Sequence, residues 1–455
     1  MKLRGTMSID HRGHLLIGGC DTVELARQYG TPLYVIDEAA LREKAREYRR
    51  AFHHYMPDSE VIYAGKALLT SAICRIIDEE QLSLDVVSGG ELYTALAAGF
   101  PPERIYFHGN NKSPAELTMA VTKGVGRIVV DNLHELRLLQ EIASIHGAEA
   151  KILLRITPGI KTNTHAYIQT GQFDSKFGFP LGSEETVAAV EWAARRMPNI
   201  RLMGLHCHIG SQVMDLMPFR LAAEHMLRFA AELRARMGLK LAELDLGGGL
   251  GIRYHEGDEP PTPAEYAQVI CQTVTALCRE LGLEVPKIMV EPGRSIVGEA
   301  GTTLYTVGAI KDVPNVRRYV AVDGGMADNP RVALYQAVYE ACLANKAAEE
   351  AAEVVTIAGR CCESGDILVR EVMLPPVEPG DILAVFSTGA YNYSMASNYN
   401  HLPRPAMVLV YEGKSDVIVE RETYEDLIRL DRIPPRLAVS QDCAAGGSKS
   451  AAAAR

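Results

Sequence analysis

Between residues 33 and 291 the chain alternates without a break. Short β-rich apolar runs are followed by stretches whose apolar positions recur at three- and four-residue spacing. After an opening strand at 33–36 and a helix at 37–53, eight further strands are expected: 61–64, 82–87, 104–108, 127–131, 151–156, 202–208, 242–246 and 287–291. Strands joined through helices run parallel. Eight of them predict a closed (β/α)8 barrel of the TIM type over the alternative, a doubly wound open sheet. Helix signals agree with this spacing. Ser88 to Glu91 and Ser113 to Glu116 have the capping-box interval, Pro114 stands at a first helical position, and Gly99, Gly124, Gly147, Gly238 and Gly282 stand where helices should stop.

After Glu291 the rhythm changes. Candidate strands at 302–310, 317–322, 354–358, 367–373, 382–386, 407–411 and 417–420 are separated by turns, with one helix expected near 332–346. This predicts a mostly antiparallel β domain. The domain reading is a barrel over 33–291 and a β domain built from 292–435 with residues 1–32. The Ala/Gly/Ser-rich tail at 444–455 is expected to be disordered.

Composition enters by exclusion. A net charge of −10 and the lack of any basic run argue against a nucleic-acid surface. No apolar run approaches the roughly 18 residues of a membrane span, and none follows Lys2 and Arg4 as in a signal peptide. Nine cysteines, an odd number without metal-ligand spacing, suggest reduced thiols in a cytoplasm and no metal centre.

A barrel presents its chemistry where the strands end. Lys66 follows the run 61–64, where an ammonium must be solvated, paired or used. Partial desolvation would ease loss of its proton, and the free amine can condense with an aldehyde such as pyridoxal phosphate. The bland reading is an ordinary loop lysine. The sixth strand ends in His206-Cys207-His208-Ile209-Gly210-Ser211. Here His206 reads as structural, His208 as a side chain able to stack on a flat ring, and Ser211 as a phosphate donor. The seventh runs into Gly247-Gly248-Gly249, a turn that lets peptide N–H groups approach an anion, or that is simply flexible. The eighth gives Glu291-Pro292-Gly293-Arg294. Glu291 could hold a pyridine nitrogen protonated and Arg294 could meet a phosphate or carboxylate; the alternative is a structural ion pair.

These residues, in this order, resemble the alanine-racemase-like (fold type III) pyridoxal-phosphate enzymes, and among them the diaminopimelate decarboxylases. The resemblance runs from about Thr31 to Leu430. It includes YAGKA at 63–67, HIGSQ at 208–212, GGGLG at 247–251, EPGRSIV at 291–297, DGGMADNPRVALY at 323–335, CESGD at 362–366 and GAYNYSMASNYN at 389–400.

The resemblance implies pyridoxal 5'-phosphate carried by Lys66, stacked by His208 and met at its ring nitrogen by Glu291. It puts the phosphate near Ser211, Gly248, Gly249, Gly293, Arg294 and Tyr391. It implies substrate contacts from Arg294, Arg331, Tyr335, Glu363 and Tyr391. Cys362 is implied as proton donor, reaching with Glu363 into the barrel of the other subunit of a homodimer. One departure is Pro330, which precedes the arginine where many relatives have proline after it. The implied reaction is decarboxylation of meso-2,6-diaminopimelate to L-lysine and carbon dioxide. The alternative is a related decarboxylase of ornithine, arginine or carboxynorspermidine, which would not need Arg331. A racemase would need a second base, which the sequence does not reveal, and a non-catalytic carrier would lack Cys362.

Overall fold

The computed structural model describes residues 2–160 and 174–437. All eight expected strands form, as Glu60–Ala64, Ser83–Val86, Ile105–Phe107, Arg127–Val130, Ala150–Thr157, Ile200–His206, Glu243–Asp245 and Lys287–Val290. Each pairs in parallel with its sequence neighbour, and Lys287–Val290 pairs with Glu60–Ala64 to close the barrel. The observed fold is thus a TIM-like barrel with a separate mixed sheet, as the alternation predicts.

Strand side chains point inward at every second residue, which divides the barrel interior into layers. The base is ionic: Lys287 Nζ lies 2.5 Å from Glu60 Oε2, and Arg127 Nε lies 2.7 Å from Glu243 Oε2. Above it Ile62, Tyr106, Val129, Leu153 and Met289 fill the middle. One further inward step along these strands reaches Ala64, His108, Asp131, Arg155 and Glu291. The helices pack their apolar faces on the outside of the barrel in one continuous core.

Helix starts follow the sequence with one exception. Ser113 and Glu116 form a complete capping box, and Gly124, Gly238 and Gly282 cap their helices in the left-handed conformation. Ser88 accepts the Glu91 N–H, but the Glu91 carboxylate bypasses the cap residue and takes the Val87 N–H at 2.7 Å.

The opening strand, Leu33–Asp37, is not part of the barrel. It pairs antiparallel with Gly301–Val313 and parallel with Ala406–Tyr411, so the β domain begins inside the segment read as barrel. Its five residues are all buried, with a paired strand on each side. That sheet is mixed: Arg317–Val322 also pairs in parallel with Glu353–Ala358, while the other partnerships are antiparallel. Residues 8–21 form a small three-stranded sheet whose Leu15 and Ile17 share a core with Val35, Leu304, Phe386 and Val408. The helix expected near 332–346 is confined to Arg331–Tyr335. Gln336 turns left-handed at φ 53°, and Ala341–Leu343 becomes a strand against Ile382–Phe386. The tail at 444–455 lies outside the described residues.

Gly204 lies where the sixth strand shifts register against the fifth, and a Cβ there would overlap the Glu243 carbonyl. Gly204→Ala should therefore destabilise the barrel by about 1–3 kcal/mol. A denaturant midpoint equal to that of the unmodified protein would contradict this packing.

Candidate active site

The parallel register brings residues from every barrel strand to one mouth. Ala64 pairs beside Asp85, and His206 pairs with both Arg155 and Asp245. Lys66 sits in a short 3-10 turn, Gly65–Ala67, directly after the first strand. Its side chain is 36 % exposed, and Nζ lies 3.5 Å from Oδ2 of Asp85, which is fully buried. No hydrogen-bond donor among the described residues satisfies either Asp85 oxygen.

Burial alone would lower Lys66, as the sequence suggested. The negative charge of Asp85, with that of Glu291, outweighs burial, and the ammonium is held above its ordinary value. The expectation of an easily deprotonated amine is thus corrected: an acid supplied by the second strand overrules desolvation. Glu91, near the same cluster, is pushed up to about 7 by burial and by Asp85, against the pull of the Val87 N–H.

Glu291 is buried at the end of the eighth strand between two imidazoles. His108 Nε2 is 2.6 Å from Oε1, and His206 Nε2 is 3.3 Å from Oε2. Burial disfavours its charge, but His108 and His206 outweigh burial and keep the carboxylate ionised. Burial pushes His206 down to about 3, so it is neutral and donates Nε2–H. His206, read as merely structural, therefore orients Glu291. Asp245 behind it moves the other way: burial and the charge of Glu291 keep it a neutral acid, with Oδ1 accepting the Gly247 N–H at 2.8 Å.

His208 stands at the mouth with Nδ1 accepting the Gly248 N–H at 3.3 Å. The glycine turn is tight. Gly247 and Gly249 have φ of 67° and 118°, and a Cβ at Gly248 would overlap the Glu291 carbonyl. Gly293 packs against Ala64: a Cβ at Gly293 would lie 2.9 Å from the Ala64 side chain, so the eighth strand closes on the lysine turn. Ser211 Oγ accepts from Arg294 Nη2 at 2.9 Å, leaving its hydroxyl proton for another acceptor. Tyr391, in the left-handed region at φ 61°, donates its N–H to Ala67 O at 2.8 Å, and the Arg294 guanidinium lies 4.7 Å from the centre of its ring.

Two buried guanidiniums flank Tyr254. Arg331 lies 4.7 Å from its ring centre and donates to the Tyr339 hydroxyl at 2.5 Å; Arg294 donates to the Tyr254 hydroxyl at 2.5 Å. Neither forms an ion pair with a carboxylate among the described residues, which equips this pocket to receive an anion. Tyr335 ends the short helix begun by Arg331. Cys362 and Glu363 stand elsewhere, exposed on the β domain, with the Cys362 N–H donated to Asn400 Oδ1 at 2.7 Å.

The mouth therefore offers an amine, a ring-facing imidazole, a buried carboxylate and a glycine cradle with Ser211 and Arg294. That set fits an aldehyde-bearing pyridine phosphate. Sequence reasoning missed Asp85, His108, Arg155, Tyr254 and Tyr339. A charged or imidazole group at the C-terminal end of an apolar strand was the available signal for the first three.

Residues 38–298 match the family model of the pyridoxal-dependent decarboxylase, pyridoxal binding domain. The chain is 53 % identical to the diaminopimelate decarboxylase of Bacillus subtilis (strain 168) over 441 residues, covering 97 % of this chain and 100 % of that one. It is also 53 % identical to that of Bacillus methanolicus, covering 93 % and 98 %. The crystal structure of diaminopimelate decarboxylase from M. jannaschii in co-complex with L-lysine superposes with a TM-score of 0.89 at 38 % identity, covering 96 % and 99 %.

The position of Glu91 makes a pH prediction. Its proton is held more tightly in the folded chain than in the unfolded one. Its contribution to stability is therefore lost as pH rises from about 4.5, the ordinary value, through about 7. Glu91→Gln should flatten the stability profile in that window, and parallel profiles for the two proteins would contradict the assignment.

Proposed function

The chain belongs to the diaminopimelate decarboxylases, within the pyridoxal-dependent decarboxylase family, and from that premise we propose how its own residues divide the work. It converts meso-2,6-diaminopimelate to L-lysine and carbon dioxide with pyridoxal 5'-phosphate as cofactor. The observation that carries the substrate reading is the pair of buried guanidiniums, Arg294 and Arg331, without carboxylate partners among the described residues. A substrate with a second amino-acid end brings the missing carboxylate. A simple diamine end brings none.

Bound pyridoxal phosphate supplies an electron sink for the pair left on the substrate carbon when the carboxylate departs. The rest is protein. Lys66 engages the aldehyde, with Asp85 taking up the positive charge of the amine whenever it is free. Glu291, fixed by His108 and His206, holds a proton at the ring nitrogen. His208 covers one ring face. Ser211, Gly248, Gly249, Gly293 and Arg294 cradle the phosphate, and Tyr391 packs on Arg294 beside it. Arg331, with Tyr335 and Tyr254 nearby, receives the distal carboxylate of the substrate, and Glu363 its ammonium. Cys362 Sγ delivers a proton to the carbon that lost carbon dioxide.

Cys362 is the exposed member of the described cysteines, the other seven being buried. Its exposure supports a homodimer in which Cys362 and Glu363 complete the partner subunit's site. The eight described cysteines are all free, and no described helix is long and apolar enough to cross a membrane. Both are in keeping with work in the cytoplasm.

Carbon dioxide release should be strong from diaminopimelate and weak from lysine, ornithine and arginine; preference for one of those three would overturn the substrate reading. Lys66→Ala should lose the borohydride-reducible cofactor absorbance. Arg331→Leu should keep that absorbance while kcat/KM for diaminopimelate falls by about one to two orders of magnitude. Unchanged kcat/KM in Arg331→Leu would remove the arginine from substrate recognition.

A further inference from the structure

One buried carboxylate joins two loops that serve different parts of this reaction. Asp366 is 3 % exposed. Its Oδ1 accepts the Met326 N–H at 2.7 Å, and its Oδ2 accepts the Cys361 N–H at 2.8 Å. Met326 belongs to the loop that leads through Pro330 into the Arg331–Tyr335 helix. Cys361 immediately precedes Cys362. Each loop leaves room for the carboxylate by using glycine: a Cβ at Gly325 or Gly359 would overlap Asp366 Oδ2.

The junction is reinforced on both sides. Asp328 Oδ2 accepts the Gly325 N–H at 2.8 Å, and Arg360 N–H bonds Gly324 O at 2.9 Å. The segment that carries Tyr391 is tied in as well. Ser397 N–H bonds Ala327 O at 2.8 Å, and Asn400 accepts from Cys362. Ser394 then returns to the lysine turn through Ala67 O at 2.9 Å. Hydrogen bonds therefore run from the Lys66 turn to the backbone of the exposed Cys362, and Asp366 is the point where the Arg331 loop and the Cys362 loop meet.

We propose that Asp366 is a positioning residue that sets two distant elements from one place: the Arg331 guanidinium of its own barrel and the Cys362 thiol delivered to a second copy of the chain. This rests on the reading above in which Cys362 completes the partner's site. Both carboxylate oxygens are committed to backbone N–H groups, and such charge-assisted bonds hold loops in fixed relation. Asparagine keeps the shape but has one acceptor oxygen, so one of the two N–H groups must face an amide NH2. A change at Asp366 thus disturbs substrate recognition in one barrel and proton delivery in the other.

Mixed dimers of the cofactor-loaded enzyme separate the two effects. Lys66→Ala silences a barrel while leaving that chain's Cys362 intact. Paired with an Asp366→Asn chain, it leaves one working barrel, whose Arg331 loop is altered and whose thiol comes from an unaltered loop. KM should rise about tenfold with kcat per working site retained. With both substitutions on one chain and an unmodified partner, the barrel served by the altered loop of Cys362 and Glu363 should lose about tenfold in kcat, with a smaller rise in KM through Glu363. The same change in both arms, or no change in either, would overturn the proposal.

The underlying reading has its own control. Lys66→Ala mixed with Cys362→Ala should recover about one quarter of the unmodified activity if sites are shared across the dimer. No recovery there refutes the shared site and not the Asp366 clasp. Should Asp366→Asn fail to fold, Gly359→Ala, which crowds the same oxygen without removing the charge, takes its place in both arms.

Discussion

Asp85, Asp131, Arg155 and Glu291 stand at the barrel mouth because a parallel strand shows alternate side chains to the interior. Along the eighth strand Lys287, Met289 and Glu291 take the three inward positions, and Arg127, Val129 and Asp131 do the same along the fourth. The apolar middle layer isolates the two charged ends from each other. It also provides the dry floor under Glu291, where a carboxylate survives as an anion only because two imidazoles lie within hydrogen-bonding distance. The fold and the chemistry thus share one period-two pattern.

The electrostatic plan divides the mouth into two halves. Around Lys66 the protein supplies anions, Asp85 and Glu291, which suit an amine and a protonated ring. Around Tyr254 it supplies cations, Arg294 and Arg331, which suit carboxylate. Arg294 borders both halves, touching Ser211 on one side and Tyr254 on the other. A substrate with an amine and a carboxylate at each end can offer the amine of one end to the first half and the carboxylate of the other end to the second.

The barrel was legible because its signal is long and repeated: eight strands and their intervening helices each carry a period and a stop. The opening strand, read at 33–36, fell inside the barrel segment because pairing partners leave no local mark, and LYVI reads the same in either sheet. Lys66, His208, Glu291 and Arg294 could be read because each adjoins a strand end or a glycine turn. Their company could not. The sign of the Lys66 shift depends on Asp85 across a strand pair, and the role of His206 depends on Glu291, 85 positions later. The Arg331 helix was overestimated because the apolar residues after it alternate into a strand, at a point where Gln336 reverses the backbone.

The ionic base of the barrel has a consequence of its own. A one-residue slip of any strand would turn its inward side chains outward and expose itself at once. A two-residue slip would not; it keeps every side chain facing the correct way. It would, however, carry Glu243 past Arg127 and leave that buried carboxylate uncompensated, a penalty of about 3–5 kcal/mol. The two ion pairs at the base act as a gauge that rejects the one error hydrophobicity cannot see. Closure of this barrel is proofread by charge, at the end of the molecule where no reaction takes place.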